Sequence, residues 1–111
     1  RGTSADVDQI LSLINDEKLE EALALATQSL KKSDWNLYEL EGAAEALGDD
    51  ESIYEEEEER LANSELRWTR IYLLLKLGQD KEARRELKRY LRWPDYCQHL
   101  DEAKALKKAM K

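Results

Sequence analysis

The chain has little of several residues on which other classes of protein depend. It contains no phenylalanine, one proline and four glycines in 111 residues, so it has few of the residues that interrupt helices or form tight turns. Its single cysteine, Cys97, excludes an internal disulfide and gives no sign of an oxidising compartment. We therefore predict a reducing location, either the cytoplasm or the interior of an organelle.

Long apolar segments are missing as well. The longest run, Ile71 to Leu75, is far shorter than the roughly 18 residues that a membrane helix needs. No basic segment followed by an apolar one opens the chain, and we predict no membrane insertion by this stretch of sequence. A chain of 111 residues holds one modest core. We predict a single domain over residues 5 to 111, with residues 1 to 4 a cloning remnant or a disordered N-terminus.

The sequence contains many charged residues, and its apolar residues recur with the spacing of a helix. Hydrophobic residues make up 41% and charged residues 39% of the chain, a mixture typical of helices that bury one side and expose the other. Apolar residues recur at spacings of three and four, as at Val7, Ile10, Leu11 and Ile14. No stretch shows the sustained alternation of a strand. The sequence therefore predicts an all-α fold.

Polar residues, two glycines and a proline predict where these helices end. They divide the chain into seven predicted helices, with Asp95 capping the last one. The fourth helix contains five consecutive glutamates and has the thinnest apolar stripe, so we predict that it is the least buried. The breaks fall at Asn15–Asp16, Ser33–Asp34, Gly48–Asp50, Ser64, Gly78 and Pro94.

Parts of the sequence resemble one another. The segments "LGDDESIY" and "LGQDKEAR" each follow one predicted helix and open the next, and Gly48 and Gly78 lie 30 residues apart. The second segment belongs to "RWTRIYLLLKLGQDKEARRELKRYLRWP", which has Trp68 in its first helix, Ala83 and Leu87 in its second, and Pro94 at its end. This pattern resembles a tetratricopeptide repeat. The resemblance implies a right-handed superhelix, similar to that family's, of about three helical hairpins plus a C-terminal capping helix.

The resemblance also implies a binding surface. In that family the first helix of each pair lines a concave groove that binds a peptide or a helix of a partner protein. The corresponding residues are Trp35, Tyr38, Glu39 and Gly42 in one helix and Trp68, Thr69, Tyr72, Leu75 and Lys76 in another. Large aromatic rings are also common in cores, so core positions for Trp35, Trp68 and Tyr72 stay open as the alternative.

Charge is divided unevenly along the chain. Residues 1 to 63 hold 5 basic and 18 acidic residues, for a net charge of −13, whereas residues 64 to 111 hold 13 and 7, for a net charge of +6. Opposite charges on the two halves attract one another within a chain or between chains. Self-assembly through the acidic and basic halves is therefore one hypothesis for function.

The acidic face is a run of glutamates, Glu55, Glu56, Glu57, Glu58 and Glu59. It fits three descriptions: the exposed side of a helix, a docking surface for a basic partner, or a metal site. Consecutive residues on a helix point about 100° apart, so at most two of the five carboxylates share one ion. Because a specific site needs ligands that converge, we predict no metal.

The basic stripe consists of Arg84, Arg85, Lys88, Arg89 and Arg92. It fits an ordinary exposed face, a counterpart of the glutamate run, a surface for an acidic protein, or a nucleic-acid site with Trp93 and Tyr96 stacking on bases. The acidity of the whole chain argues against nucleic acid, although a local patch can outweigh net charge.

Motifs for enzyme chemistry are absent from the sequence. The only histidine, His99, lies two residues from Cys97, and side chains at that spacing on a helix point to different sides. No glycine-rich phosphate loop, paired-cysteine motif or Ser-His-Asp set is present. We predict no enzymatic activity and no cofactor. The prediction is a protein-interaction module, a scaffold, adaptor or chaperone-like protein, with polyanion binding through the basic stripe and self-assembly as alternatives.

Overall fold

The structure, a computed structural model, describes residues 2 to 47 and 50 to 110. Over this part the chain forms five α-helices and one turn of 3-10 helix, without a β-strand, which confirms the all-α prediction. The helices are α1 (Thr3–Asn15), α2 (Leu19–Leu47), α3 (Asp50–Lys76), α4 (Asp80–Leu91) and α5 (Leu100–Ala109), and the 3-10 turn (Pro94–Tyr96) lies between α4 and α5.

Helices α2 and α3, of 29 and 27 residues, are much longer than predicted. Each joins two predicted helices, so the breaks predicted at Ser33–Asp34 and at Ser64 are wrong. Both serines are buried, and the Ser33 hydroxyl donates to Glu59 on α3 at 2.5 Å. A serine within a helix can thus form a hydrogen bond with a side chain of a neighbouring helix instead of capping the end of its own helix. Despite this length, no helix in the described part of the chain is apolar enough to cross a membrane.

The turn between α3 and α4 confirms the break predicted at Gly78. Gly78 has a φ of +76°, in the left-handed region that glycine adopts without a steric penalty. The Gln79 N–H donates to the carbonyl of Leu74 at 2.8 Å, and the Gly78 N–H donates to that of Leu75 at 3.1 Å. These two bonds form a Schellman motif, which satisfies the last carbonyls of the helix.

The turn after α1 has the same geometry without a glycine. Helix α1 ends at Asn15 as predicted, and Glu17 then has a φ of 61°. The Lys18 N–H donates to the carbonyl of Leu13 at 2.9 Å and the Glu17 N–H to that of Ile14 at 3.0 Å. A glutamate therefore occupies the left-handed position at which a glycine is usually found. The predicted turn at Gly48 and Asp49 lies outside the described residues.

Helix α3 contributes to two hydrophobic clusters. The N-terminal cluster joins α1, α2 and α3, and the C-terminal cluster joins α3, α4 and α5. The first contains Val7, Ile10, Ala22, Ala26, Leu30, Leu66 and Leu73, and the second contains Ile71, Leu87, Tyr90 and Ala103. Leu66, Leu73 and Ile71 are at most 1% exposed, so α3 is the shared wall of both clusters.

The C-terminal segment differs from its prediction. Pro94 interrupts the chain as expected and begins the 3-10 turn, but α5 starts at Leu100. The prediction that Asp95 caps this helix is wrong, because Cys97 has extended backbone angles (φ −83°, ψ 109°) that separate the turn from α5. At the other end, α1 begins at Thr3, two residues before the predicted start of the domain.

Candidate functional site

The outer side of α2 carries two exposed aromatic rings. Trp35 is 60% exposed and Tyr38 is 71% exposed, and their rings stack with centroids 5.8 Å apart and planes inclined by 26°. They line a broad depression of about 1040 Å³ that extends along α2 to Leu25 and reaches Asp6 on α1. Neither ring belongs to a hydrophobic cluster. Both rings therefore present most of their surface to solvent.

The groove residues predicted on α3 do not border this depression. Trp68 packs against Tyr90 at 5.3 Å and stacks on His99 at 5.1 Å, so it lies beside the C-terminal cluster. Thr69 is 6% exposed, and its hydroxyl donates to a carbonyl of its own helix. Tyr72 is 43% exposed, with the Lys76 ammonium 5.6 Å from its ring. The depression is lined by Trp35 and Tyr38 and by none of the α3 residues.

Arginines and aromatic residues surround a second cavity, between α2, α3 and the segment from α4 to the 3-10 turn. Its volume is about 310 Å³. Asp34 is the one acidic residue among the described residues that line it. The cationic and aromatic lining residues are Arg60, Arg67, Arg89, Arg92, Tyr90, Trp93 and Tyr96. We call this space the arginine cavity.

The ring of Trp93 forms part of the rim of the arginine cavity. Trp93 is 53% exposed, and the Arg60 guanidinium lies 4.9 Å from its centroid and 6.0 Å from that of Tyr96. A guanidinium over a ring is attracted by the electrons of its face. The Tyr96 hydroxyl donates to Glu57 at 2.9 Å, and this bond raises the pKa of Tyr96.

The basic stripe on α4 is only partly neutralised. Arg85 contacts Glu82 at 3.1 Å, and Arg89 contacts Glu82 at 3.9 Å and Glu86 at 3.6 Å. All five stripe residues are exposed. Among the described residues, no ion pair involves Arg84, Lys88 or Arg92, and none joins the stripe to the glutamate run.

The glutamate run forms part of the first half of α3, and its members have different environments. Glu55, Glu57 and Glu58 are exposed. Glu56 pairs with Arg60 at 2.8 Å, whereas Glu59 is half-buried and accepts bonds from Thr3 on α1 and Ser33 on α2. Over the described residues, no group of three or more histidine, cysteine, aspartate or glutamate side chains is placed to hold a metal ion.

A buried ionic network joins α2, α3 and α4. Glu86, which is 1% exposed, pairs through one carboxylate oxygen with Arg67 and through the other with Arg70. Arg67 also donates to Asp34 at 2.8 Å, and Arg70 donates to the Thr27 hydroxyl at 3.0 Å. The two guanidiniums satisfy the buried carboxylate, which would otherwise strongly destabilise the fold.

This network was not predicted from the sequence, although one of its residues, Glu86, leaves a signal there. Glu86 lies among Ala83, Leu87 and Tyr90, on the apolar side of the α4 pattern. A charged residue on a buried stripe indicates an interior partner. Asn63 donates to Ser33 and Asp34 at 2.9 Å each. The sequence gives no signal of these contacts, because they depend on how α2 packs against α3.

The environment of Tyr90 shows how tightly the end of α4 is packed. Burial raises the pKa of Tyr90 from 10.0 to about 12, although the His99 N–H, which donates to its hydroxyl at 3.1 Å, acts in the opposite direction. Burial also raises the pKa of the Cys97 thiol, which donates to the Tyr90 carbonyl at 3.2 Å. The imidazole of His99 lies 3.2 Å from both carboxylate oxygens of Glu65.

Comparison of the chain with protein-family models, curated proteins and solved structures found no match.

Proposed function

We propose that this chain is a protein-interaction module, a scaffold or adaptor that holds a peptide or helix of a partner protein against the outer side of α2. The exposure of the stacked Trp35 and Tyr38 rings is the observation that supports it. Burying the exposed part of each ring removes on the order of 100 Å² or more from water, which contributes about 3 kcal/mol per ring. Binding energy at interfaces is concentrated in such aromatic residues.

Charges beside the rings define the partner's chemistry. Lys31 and Lys32 line the depression and are exposed, and neither forms an ion pair with another described residue. Of the two acidic residues in the described lining, Asp34 is already engaged by Arg67 and Asn63, and Asp6 accepts a hydrogen bond from Ser29 at 2.6 Å. The proposed ligand is therefore an amphipathic segment that places an apolar side chain on the rings and acidic residues beside the two lysines.

The tetratricopeptide-like superhelix is part of the same proposal. The hairpin of the second half of α3 and α4, with Gly78 at its turn, supports the likeness. The unbroken α2 and α3 depart from three separate hairpins, so the region from Ser64 to Pro94 is what supports this part of the proposal.

The test is a pull-down with three forms of the chain, followed by mass spectrometry and calorimetry with the purified partner segment. Tyr38→Ala removes one ring of the stack, and Tyr54→Ala is the matched control because Tyr54 is 73% exposed on α3. We expect Tyr38→Ala to weaken binding by about 2 kcal/mol, roughly thirtyfold in Kd, and Tyr54→Ala to leave it unchanged. Equal binding by Tyr38→Ala and the wild type would overturn the proposed surface.

Polyanion binding through the basic stripe is the second candidate, supported by the exposed Arg84 and Lys88. It predicts an affinity that falls steeply with salt and with charge reversal at both positions. Self-assembly of the acidic and basic halves predicts a mass that rises at low ionic strength. A monomeric mass at every salt concentration would refute it.

A further inference from the structure

We propose that the arginine cavity is a binding site for the phosphate group of a small molecule. It is distinct from the depression on the outer side of α2, with which it shares Asp34 among the described residues. The cavity lies at the meeting point of α2, α3 and α4, and four arginines line it. Its volume of about 310 Å³ is at the lower end of the range for small-molecule sites. It therefore suits a phosphate group with a small organic remainder and excludes a folded partner.

Two of the four guanidiniums already have close carboxylate partners. Arg67 pairs with Asp34 at 2.8 Å and with Glu86, and Arg60 pairs with Glu56 at 2.8 Å. The carboxylate of Asp34 is also held by Asn63 at 2.9 Å. The one acidic residue in the lining is thus neutralised, and its repulsion of an incoming anion is reduced.

The other two guanidiniums lack a close partner of their own. Arg89 has contacts of 3.6 Å to Glu86 and 3.9 Å to Glu82, and both carboxylates are shared with other arginines. Arg92 is exposed at the end of α4 and makes no ion pair within the described part of the chain. Two such guanidiniums match a phosphate monoester, which carries a charge of about −2 at neutral pH and accepts bidentate hydrogen bonds from arginine.

The cavity also has polar side chains in its wall and an apolar rim, although the Asn63 amide already donates to Ser33 and Asp34. Asn63 and Ser64 line it with polar side chains, and the half-exposed ring of Trp93 borders it. A ring attached to the phosphate can stack on the exposed part of the Trp93 ring. Inorganic phosphate and a nucleoside monophosphate share the phosphate group that the arginines recognise. The difference between their affinities shows whether the ligand is free phosphate or a phosphate attached to an organic group.

The experiment titrates the whole chain with adenosine monophosphate, inorganic phosphate and adenosine, using calorimetry and tryptophan fluorescence. Arg92→Gln tests the site, and Arg84→Gln is the matched control. Both variants remove one exposed arginine of the basic stripe, but Arg84 does not line the arginine cavity. Thermal melting of both variants confirms that they fold.

We expect adenosine monophosphate or phosphate to bind saturably at micromolar to millimolar concentration and adenosine not to bind. Arg92→Gln should raise the Kd about tenfold, the loss of one charge-assisted contact, and Arg84→Gln should change it less than about twofold. Equal weakening in both variants shows general attraction to a basic surface and overturns the proposal. Binding of adenosine as tight as that of its monophosphate, or no binding of either phosphate, also overturns it.

Discussion

Replacing Glu86 by glutamine tests whether the buried ionic network holds α2, α3 and α4 together. Glutamine has almost the shape of glutamate, so the change removes a charge with little change in packing. Glu86 is 1% exposed, and the side chains of Arg67 and Arg70 are 12% and 13% exposed. Breaking a buried ion pair by removing one partner costs about 3 to 5 kcal/mol, because the other charge is left without compensation.

The remaining contacts place the expected loss at the lower end of that range. Arg67 keeps Asp34 at 2.8 Å, and Arg70 keeps the Thr27 hydroxyl at 3.0 Å and a distant Glu82 at 3.9 Å. We therefore expect Glu86→Gln to lower the free energy of unfolding by about 3 kcal/mol. That is a large fraction of the stability of a small domain.

Urea denaturation followed by circular dichroism and tryptophan fluorescence measures this loss by linear extrapolation. Glu82→Gln is the control, because Glu82 lies one turn earlier on α4 and its side chain is 32% exposed. Exposed ion pairs contribute at most about 1 kcal/mol, so the control should stay within that limit. A loss in Glu86→Gln no larger than that in Glu82→Gln would refute a stabilising role for the network.

The remaining predictions concern the two turns and the tyrosine at the end of α4. Glu17→Gly should raise the free energy of unfolding by about 0.5 to 1 kcal/mol, and Gly78→Ala should lower it by about 1 kcal/mol, since both positions have a positive φ. An added Cβ at Gly78 meets no atom within 4 Å, so a larger loss would contradict a purely conformational effect. The folded-state pKa of Tyr90, about 12, lies above its ordinary value of 10.0, and the folded state holds that proton more tightly than the unfolded chain. Its contribution to stability is complete below about pH 10 and is lost between about pH 10 and 12. Alkaline denaturation should therefore be steeper for the wild type than for Tyr90→Phe, and equal slopes would contradict the raised pKa.

Local patterns in the sequence predicted several features of the fold. Apolar spacing identified the buried sides at Val7, Ile10 and Leu87, and backbone chemistry identified the turns at Gly78 and Pro94. These features depend on a few neighbouring residues, so a single sequence contains the information. The apolar spacing shows which side of a helix is buried, and a glycine after the last turn shows where the chain adopts the left-handed conformation that ends the helix.

Features that depend on contacts between helices were not predictable in this way. Ser33 resembles a helix cap, but it is fully buried against Glu59 in the middle of α2. Whether a serine caps a helix or contacts a neighbouring one depends on what lies beside it. The same holds for the arginine cavity, which is lined by both Arg60 and Arg92, 32 residues apart in the sequence.

The position of α3 between two clusters has a consequence for the order in which the protein assembles on the ribosome. Chains emerge from the N-terminus, so α1, α2 and α3 are complete before α4 and α5 have been synthesised. An N-terminal cluster that forms before α4 and α5 dock leaves Ile71, and the side of α3 that faces the C-terminal cluster, exposed to water. Until Leu87 and Ala103 cover it, the chain presents an apolar surface that the folded protein conceals, and an exposed surface of this kind favours aggregation.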